Sequence, residues 1–320
     1  MKNKILLLSG DPNSINSEII FKCWKNLSIS KRKNIYLVSN YNLLKKQFKI
    51  LKYKIKMIKV KNIKEKNNSN KLKILDIDLK FKNPFKVPFK NSSNFVKKIL
   101  NIAHKLASEK EVKGMVNCPI DKKLLGKNNK GVTEFLASKC KIKDGTEVML
   151  ISNRRLSVSP LTTHIKIKDV NKRIFPKIII KKIATIDKWF RKIYRKRPKI
   201  GVLGLNPHNA ELRTNTEERK IILPSINKLK KRGLKIKGPL VADTLFINDY
   251  KNYNVIVGMY HDQVLAPFKT LYKFDAINIT LGLNYHRVSP DHGVALNILK
   301  KKNASHLSLL RCIEFLLKIK

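Results

Sequence analysis

Three of the seven histidines, His164, His208 and His261, each stand in a short polar cluster that closes an apolar run. The clusters read Thr162-Thr163-His164, Asn206-Pro207-His208 and Tyr260-His261-Asp262. A neutral imidazole offers a lone pair to Zn, Co, Ni or Fe, and three protein ligands leave positions open for a substrate. Spacing alone leaves a second reading open, in which each is a loop histidine bonded to backbone, because the three are far apart in the chain. His104, in an amphipathic pattern, and His306 read as structural or surface residues. Two more polar clusters, Asn117-Cys118-Pro119 and Asn278-Ile279-Thr280, close apolar runs in the same way. The segment from Gly10 to Asn16 keeps one glycine, so a GxGxxG dinucleotide loop is missing, and neither a GxxxxGK[ST] phosphate loop nor a GxSxG elbow occurs.

Five such clusters can act together only if the elements beneath them end in one place. Apolar runs predict strands over 5–8, 35–39, 55–60, 114–117, 148–152, 157–163, 200–205, 255–259 and 276–280. Helical periodicity falls over 16–27, 43–51, 95–110, 133–140, 175–194, 216–231 and 292–301, with Ser92-Ser93 as the cap of the third. Strands alternating with helices of this length predict βαβ units and a largely parallel sheet. Ligands bind outside the carboxyl ends of strands in such sheets, and each cluster is read as following a strand. The strands are too many for one simple sheet. The expectation is an α/β protein of two α/β/α lobes with a cleft between them. Residues 1–135 plus about 285–320 form the first lobe, and about 136–284 form the second, which carries most of these motifs.

Composition sets the outer limits. A chain of 320 residues that is 42% hydrophobic can bury a large core and is not a disordered polymer. Lys and Arg number 70 against 22 Asp and Glu, a net charge of +48. That balance suggests a nucleic-acid binder. The cations are spread over nearly every segment, however, and only 12 are arginine, the better reader of bases and phosphates. A solvated, drifted surface is therefore preferred to a specific nucleic-acid partner. Cys23, Cys118, Cys140 and Cys312 form no CxxC and no framework, which suits a reducing compartment. The apolar run after Met1-Lys2-Asn3-Lys4 is too short for a signal peptide or a membrane span, so a cytoplasmic protein is expected.

The ordered motifs MYHDQVLAPFK (259–269), INITLGL (277–283) and RVSPDHGVAL (287–296) resemble the 4-hydroxythreonine-4-phosphate dehydrogenase family of pyridoxal-phosphate biosynthesis. NCPIDK (117–122), TEFLA (133–137), NPH (206–208) and GPLVADTLF (238–246) extend the resemblance almost end to end. It implies NAD-dependent oxidation of 4-phosphohydroxy-L-threonine to a β-keto acid, which loses CO2 to give 3-amino-2-oxopropyl phosphate. It also implies a fold like that of the isocitrate and isopropylmalate dehydrogenases, which bind NAD without a GxGxxG loop. The family's metal ligands fall on His164, His208 and His261, with Zn2+ favoured and Mg2+ or Co2+ as alternatives. Thr133, Lys269, Asn278 and Arg287 match substrate-binding positions. The resemblance implies a homodimer whose active site is shared between subunits. Asp243 and Asp291 are read either as carboxylates orienting histidine or as helix caps. The chain departs from the pattern at Val132, where the family has histidine, and in the loops 10–18 and 209–218. These departures bear on the substrate, and a dehydrogenase of phosphorylated threonate or erythronate is the alternative within the class. A non-catalytic polyanion-binding α/β protein is the alternative outside it.

Overall fold

The computed structural model describes residues 3–64, 69–126, 131–142 and 147–319. Its strands are β1 (Ile5–Leu8), β2 (Ile35–Ser39), β3 (Met57–Val60), β4 (Leu72–Asp76), β5 (Gly114–Asn117) and β6 (Val148–Ser152). They continue with β7 (Ser157–Pro160), β8 (Ile200–Leu203), β9 (Ile236–Leu240), β10 (Val255–Gly258), β11 (Ile277–Leu281) and β12 (His286–Pro290). The chain divides into two compact units, Met1–Cys140 with Leu283–Ile319, and Lys141–Gly282.

In the first unit the strand order is β3-β4-β2-β1-β5-β12, and every pairing is parallel. Parallel strands covered on both faces need continuous apolar runs. The sequences ILLL of β1 and IYLV of β2 supply them, and all these residues are buried. Helix Phe89–Ser108 packs against β1, β2 and β5, burying Phe95, Val96, Ile99 and Leu100. Each such side chain contributes roughly 1.5–3 kcal/mol through apolar burial. This helix begins earlier than the periodicity predicts. Pro88 stands at its N-cap, and Ser92 and Ser93 lie inside it, where they donate to the Val87 and Leu124 carbonyls at 3.3 and 2.7 Å.

The segment 292–301, predicted helical, contains only a short 3-10 turn, Leu296–Ile298, preceded by Ala295 in the left-handed region. The helix of this part of the chain is Leu307–Lys318, which packs on β1, β5 and β12.

In the second unit the order is β11-β6-β7-β10-β8-β9. β7, β10, β8 and β9 pair in parallel, whereas β6 is antiparallel to both β7 and β11. The sheet is largely parallel, as expected, with β6 as the antiparallel exception on this side, and Asn278 lies within β11 instead of beyond a strand end. Helix His261–Tyr272 packs on β7 and β10, and its Val264, Leu265 and Phe268 join Val158, Leu203 and Ile256 in one core cluster. Helix Pro176–Tyr194 packs against β6 and β11. The helix predicted over 216–231 is a π-helical turn, Glu218–Ile222, running into helix Leu223–Lys231.

Candidate functional site

The parallel neighbours β7, β10 and β8 each release one of the three histidines from the carboxyl end. Backbone pairing of β7 with β10 runs past the strands themselves: Leu161 N donates to Gly258 O at 2.7 Å, and Thr162 N to Met259 O at 3.1 Å. The Thr162 hydroxyl adds a bond to the same Met259 carbonyl at 2.7 Å. The two chains therefore leave the sheet side by side, and the His164 and His261 rings stand 5.7 Å apart between centroids. They line a cavity of about 180 Å³ with Thr163, Tyr260 and Asp262.

His261 opens helix His261–Tyr272, and its Nδ1 lies 2.7 Å from Asp262 Oδ1. A carboxylate there draws the ring proton to Nδ1 and leaves the Nε2 lone pair for a metal. Two imidazoles at one cavity, one oriented by a carboxylate, fit a divalent cation. His208, by contrast, is exposed and belongs to a run, His208–Leu212, with φ between 47° and 57°. Among the described residues no group of three or more His, Cys, Asp or Glu side chains converges as a metal cage. The fold thus brings His164 and His261 together and leaves His208 at the neighbouring strand end.

That strand end is tightly braced. Gly204 O accepts from Gln263 Nε2 at 2.8 Å, and Leu205 N and Asn206 N both donate to Glu218 Oε1, at 2.7 and 2.8 Å. A side chain on Gly204 would place its Cβ 2.0 Å from Asn209 Oδ1 and would force the Asn209 side chain to move. Burial would raise the Glu218 carboxyl, but hydrogen bonds from Asn206 and Leu205 outweigh it and hold the group below its usual range.

Of the expected substrate residues in this unit, Lys269 is half-buried near the end of helix His261–Tyr272. Asn278 sits opposite Ile151 on β11, and its Oδ1 is buried without a hydrogen-bond partner among the described residues. Asp243 is exposed and accepts from Thr244 N at 2.9 Å, so it serves its own short helix. Asp291 N donates to Ser308 Oγ at 3.0 Å, which ties it to helix Leu307–Lys318.

The first unit gathers Arg287 and Thr133. Arg287 lies on β12 in register with Met115 of β5, and it is 3% exposed. Its Nε donates to Asn117 Oδ1 at 2.7 Å and its Nη1 to Thr133 Oγ1 at 3.3 Å. Burial pulls its pKa down to about 10, so the guanidinium stays charged at neutral pH. Val132 is half-buried as the first residue of helix Val132–Lys139. Cys118, beside Asn117, is no thiolate nucleophile: burial raises its thiol well above the usual range. His104 Nδ1 meets the Tyr285 hydroxyl at 3.0 Å, in keeping with a structural role.

The loop 10–18 is held by asparagines. Asn16 Nδ2 donates to Ser9 O and Pro119 O at 2.9 and 2.8 Å, and Asn13 exchanges two bonds with the Val87 backbone.

Residues 31–316 match the family described as pyridoxal phosphate biosynthetic protein PdxA. The chain belongs to this family. It is 36% identical over 325 residues to 4-hydroxythreonine-4-phosphate dehydrogenase of Aquifex aeolicus, covering 99% of each chain. It is 34% identical over 331 residues to the enzyme of that name from Sulfurihydrogenibium sp., covering 99% of this chain and 98% of the relative. The solved 4-hydroxythreonine-4-phosphate dehydrogenase from Klebsiella pneumoniae matches with a TM-score of 0.85 at 28% identity, over 99% of this chain and 98% of that one. An isocitrate dehydrogenase from Methylococcus capsulatus, at 12% identity and a TM-score of 0.51, shares the fold.

The chain is thus an α/β enzyme of dehydrogenase type. No helix among the described residues is long and apolar enough to cross a membrane, and all four cysteines are free. Two residues that brace these strand ends are hard to read from the sequence: Gln263, inside the MYHDQVLAPFK motif, and Glu218. Only the Thr-Glu-Glu triplet after the NPH loop hinted at the latter, and a charged triplet reads by default as solvated surface.

Proposed function

We propose that this chain oxidises the secondary alcohol of 4-phosphohydroxy-L-threonine with NAD as hydride acceptor, within pyridoxine 5'-phosphate biosynthesis. The carbinol carbon gives its hydride to the nicotinamide and the hydroxyl gives up its proton. The β-keto acid then loses CO2, leaving 3-amino-2-oxopropyl phosphate. The observation that carries this reading is the placement of His164, His261 and His208 at the carboxyl ends of three adjacent parallel strands in a PdxA-family chain.

His164, His208 and His261 would hold the metal, with Zn2+ favoured by the imidazole donor set and Mg2+ or Co2+ as alternatives. Such a cation, when bound, acidifies the substrate hydroxyl and polarises the ketone. Asp262 fixes the His261 tautomer through the 2.7 Å contact. Arg287, anchored by Asn117 and flanked by Thr133, supplies a desolvated fork for a phosphate or carboxylate, and Lys269 adds a second positive charge. Asn278 brings a buried oxygen with no internal partner, ready to accept from a substrate N–H or O–H. Val132 leaves one polar contact of the family pattern unfilled. The working enzyme is read as a cytoplasmic homodimer with the active site shared between subunits.

The test is NADH formation with 4-phosphohydroxy-L-threonine, with and without a chelator, beside phosphorylated threonate and erythronate. Turnover with the first substrate, lost on chelation, is expected. A preference for a phosphorylated threonate or erythronate would move the substrate within the class. No turnover with any of them, together with tight salt-sensitive polyanion binding, would favour a non-catalytic protein.

A further inference from the structure

Glu218 lies outside every motif quoted for the chemistry, yet it is 0% exposed. Its Oε1 takes two successive backbone N–H groups, Leu205 and Asn206, and its Oε2 takes Asn206 Nδ2 at 3.1 Å. Among the described residues no cation pairs with it, so hydrogen-bond donors, these foremost, stabilise a buried charge. The far flank of the same turn is fixed by Asn209, 7% exposed, whose Nδ2 donates to Pro239 O at 3.1 Å. Pro207 and His208 are the exposed residues between these two anchors.

We propose that Glu218 is a positioning residue, whose carboxylate fixes the turn from Leu205 to Asn209 and so presents His208 for metal binding. The inference rests on the metal reading given above. One backbone bond, Asn209 N to Asn206 O at 3.1 Å, closes the end of the turn, but the N–H groups of Leu205 and Asn206 at its start both converge on one carboxylate oxygen. Glutamine at this position could still accept both backbone bonds on its carbonyl. Its amide N–H groups would then face the Asn206 amide, donor against donor, and the side-chain arm would be lost.

The experiment measures Co2+ and Zn2+ affinity of the full chain by competition with a chromogenic chelator. The parent is compared with Glu218→Gln, Asn206→Ala and Asp187→Asn. Asp187 is a control in the same unit, a buried carboxylate paired with Arg191 at 2.9 Å. Glu218→Gln should lose roughly 10- to 100-fold in affinity, as expected for a group that orients a ligand. Asn206→Ala, which keeps both backbone bonds, should lose less, and Asp187→Asn should match the parent while melting earlier. Amide exchange over 205–209 should quicken in Glu218→Gln without metal present.

Metal binding by the parent with unchanged affinity in both Glu218→Gln and Asn206→Ala would overturn the inference alone. Equal losses in Asp187→Asn and Glu218→Gln would assign the effect to general destabilisation and overturn it too. No metal on the parent would overturn the metal reading and the inference together. If Glu218→Gln fails to fold, Asn206→Ala decides.

Discussion

At Arg287 the guanidinium has given up nearly all its water, and the Asn117 and Thr133 oxygens replace part of it. A cation held in that way recognises an anion by geometry, because its fork cannot turn to follow a misplaced ligand. Val132 stands next to Thr133 in the helix, and a histidine there would add a side-chain N–H donor that valine lacks. A hydrogen bond to a charged group contributes about 1.5–3 kcal/mol. Val132→His should therefore lower KM for 4-phosphohydroxy-L-threonine by roughly 10- to 150-fold while leaving kcat nearly unchanged, the mark of uniform binding. Steady-state kinetics decide it, and an unchanged KM would show that the pocket is built around valine.

Lys73 carries the opposite lesson, a cation that the fold tolerates at a cost. It is 0% exposed on β4, donates to the Lys33 carbonyl, and stands 4.7 Å from the Tyr36 ring centroid. Burial, helped by Lys4, brings its pKa from 10.5 down to about 8. Between those values the unfolded chain holds a proton that the folded chain has released, so this group adds stability as pH rises. Lys73→Met removes the dependence. Its stability relative to the parent should fall between about pH 8 and about pH 10.5, read from urea unfolding at each pH. A constant difference would show that the charge at Lys73 does not matter.

Among the elements, the turn after β8 holds the longest run of left-handed backbone among the described residues. Five consecutive residues without glycine, His208 to Leu212, have φ between 47° and 57°. Left-handed backbone costs a side-chain-bearing residue roughly 1–2 kcal/mol, and the extra freedom of unfolded glycine returns part of that gain. Ala210→Gly should stabilise the chain by about 0.5–1 kcal/mol, measured by denaturant unfolding. A loss of stability would mean that the left-handed turn is not the resting form.

The turn was not legible in the sequence, where NPHNAELRT reads as an ordinary polar loop. The central strands were legible: 35–39, 114–117 and 148–152 agree to the residue because buried strands are uniform apolar runs. β4, β9 and β12 were missed because Lys73, Gly238-Pro239 and Arg287 interrupt the run. Those interruptions belong to tertiary structure, since Arg287 pairs with side chains on β5 and on helix Val132–Lys139. The three histidines were legible as strand-end residues. Their clamps, Gln263 and Glu218, were not, because a buried polar side chain is defined by partners that sequence spacing does not reveal.

For the whole molecule, a charge of +48 makes some attraction to nucleic acid unavoidable. Each phosphate contact releases condensed counterions, so DNA affinity should fall by orders of magnitude between about 50 and 200 mM salt, without sequence preference. Filter binding with several duplexes over that range checks it, and selective binding that survives would revive a polyanion-binding role.

The division of the chain also sets an order in time. The unit Lys141–Gly282 is one continuous stretch, whereas the other unit needs Leu283–Ile319 to finish it. A ribosome delivers β1 to β5 early, but β12, the parallel neighbour of β5, and helix Leu307–Lys318 come last. Until then β5 has an open edge and an uncovered apolar face, the surfaces on which nascent chains aggregate. The later-made unit can therefore mature first, and the earlier one must wait, lacking its closing segment Leu283–Ile319, while Lys141–Gly282 is made.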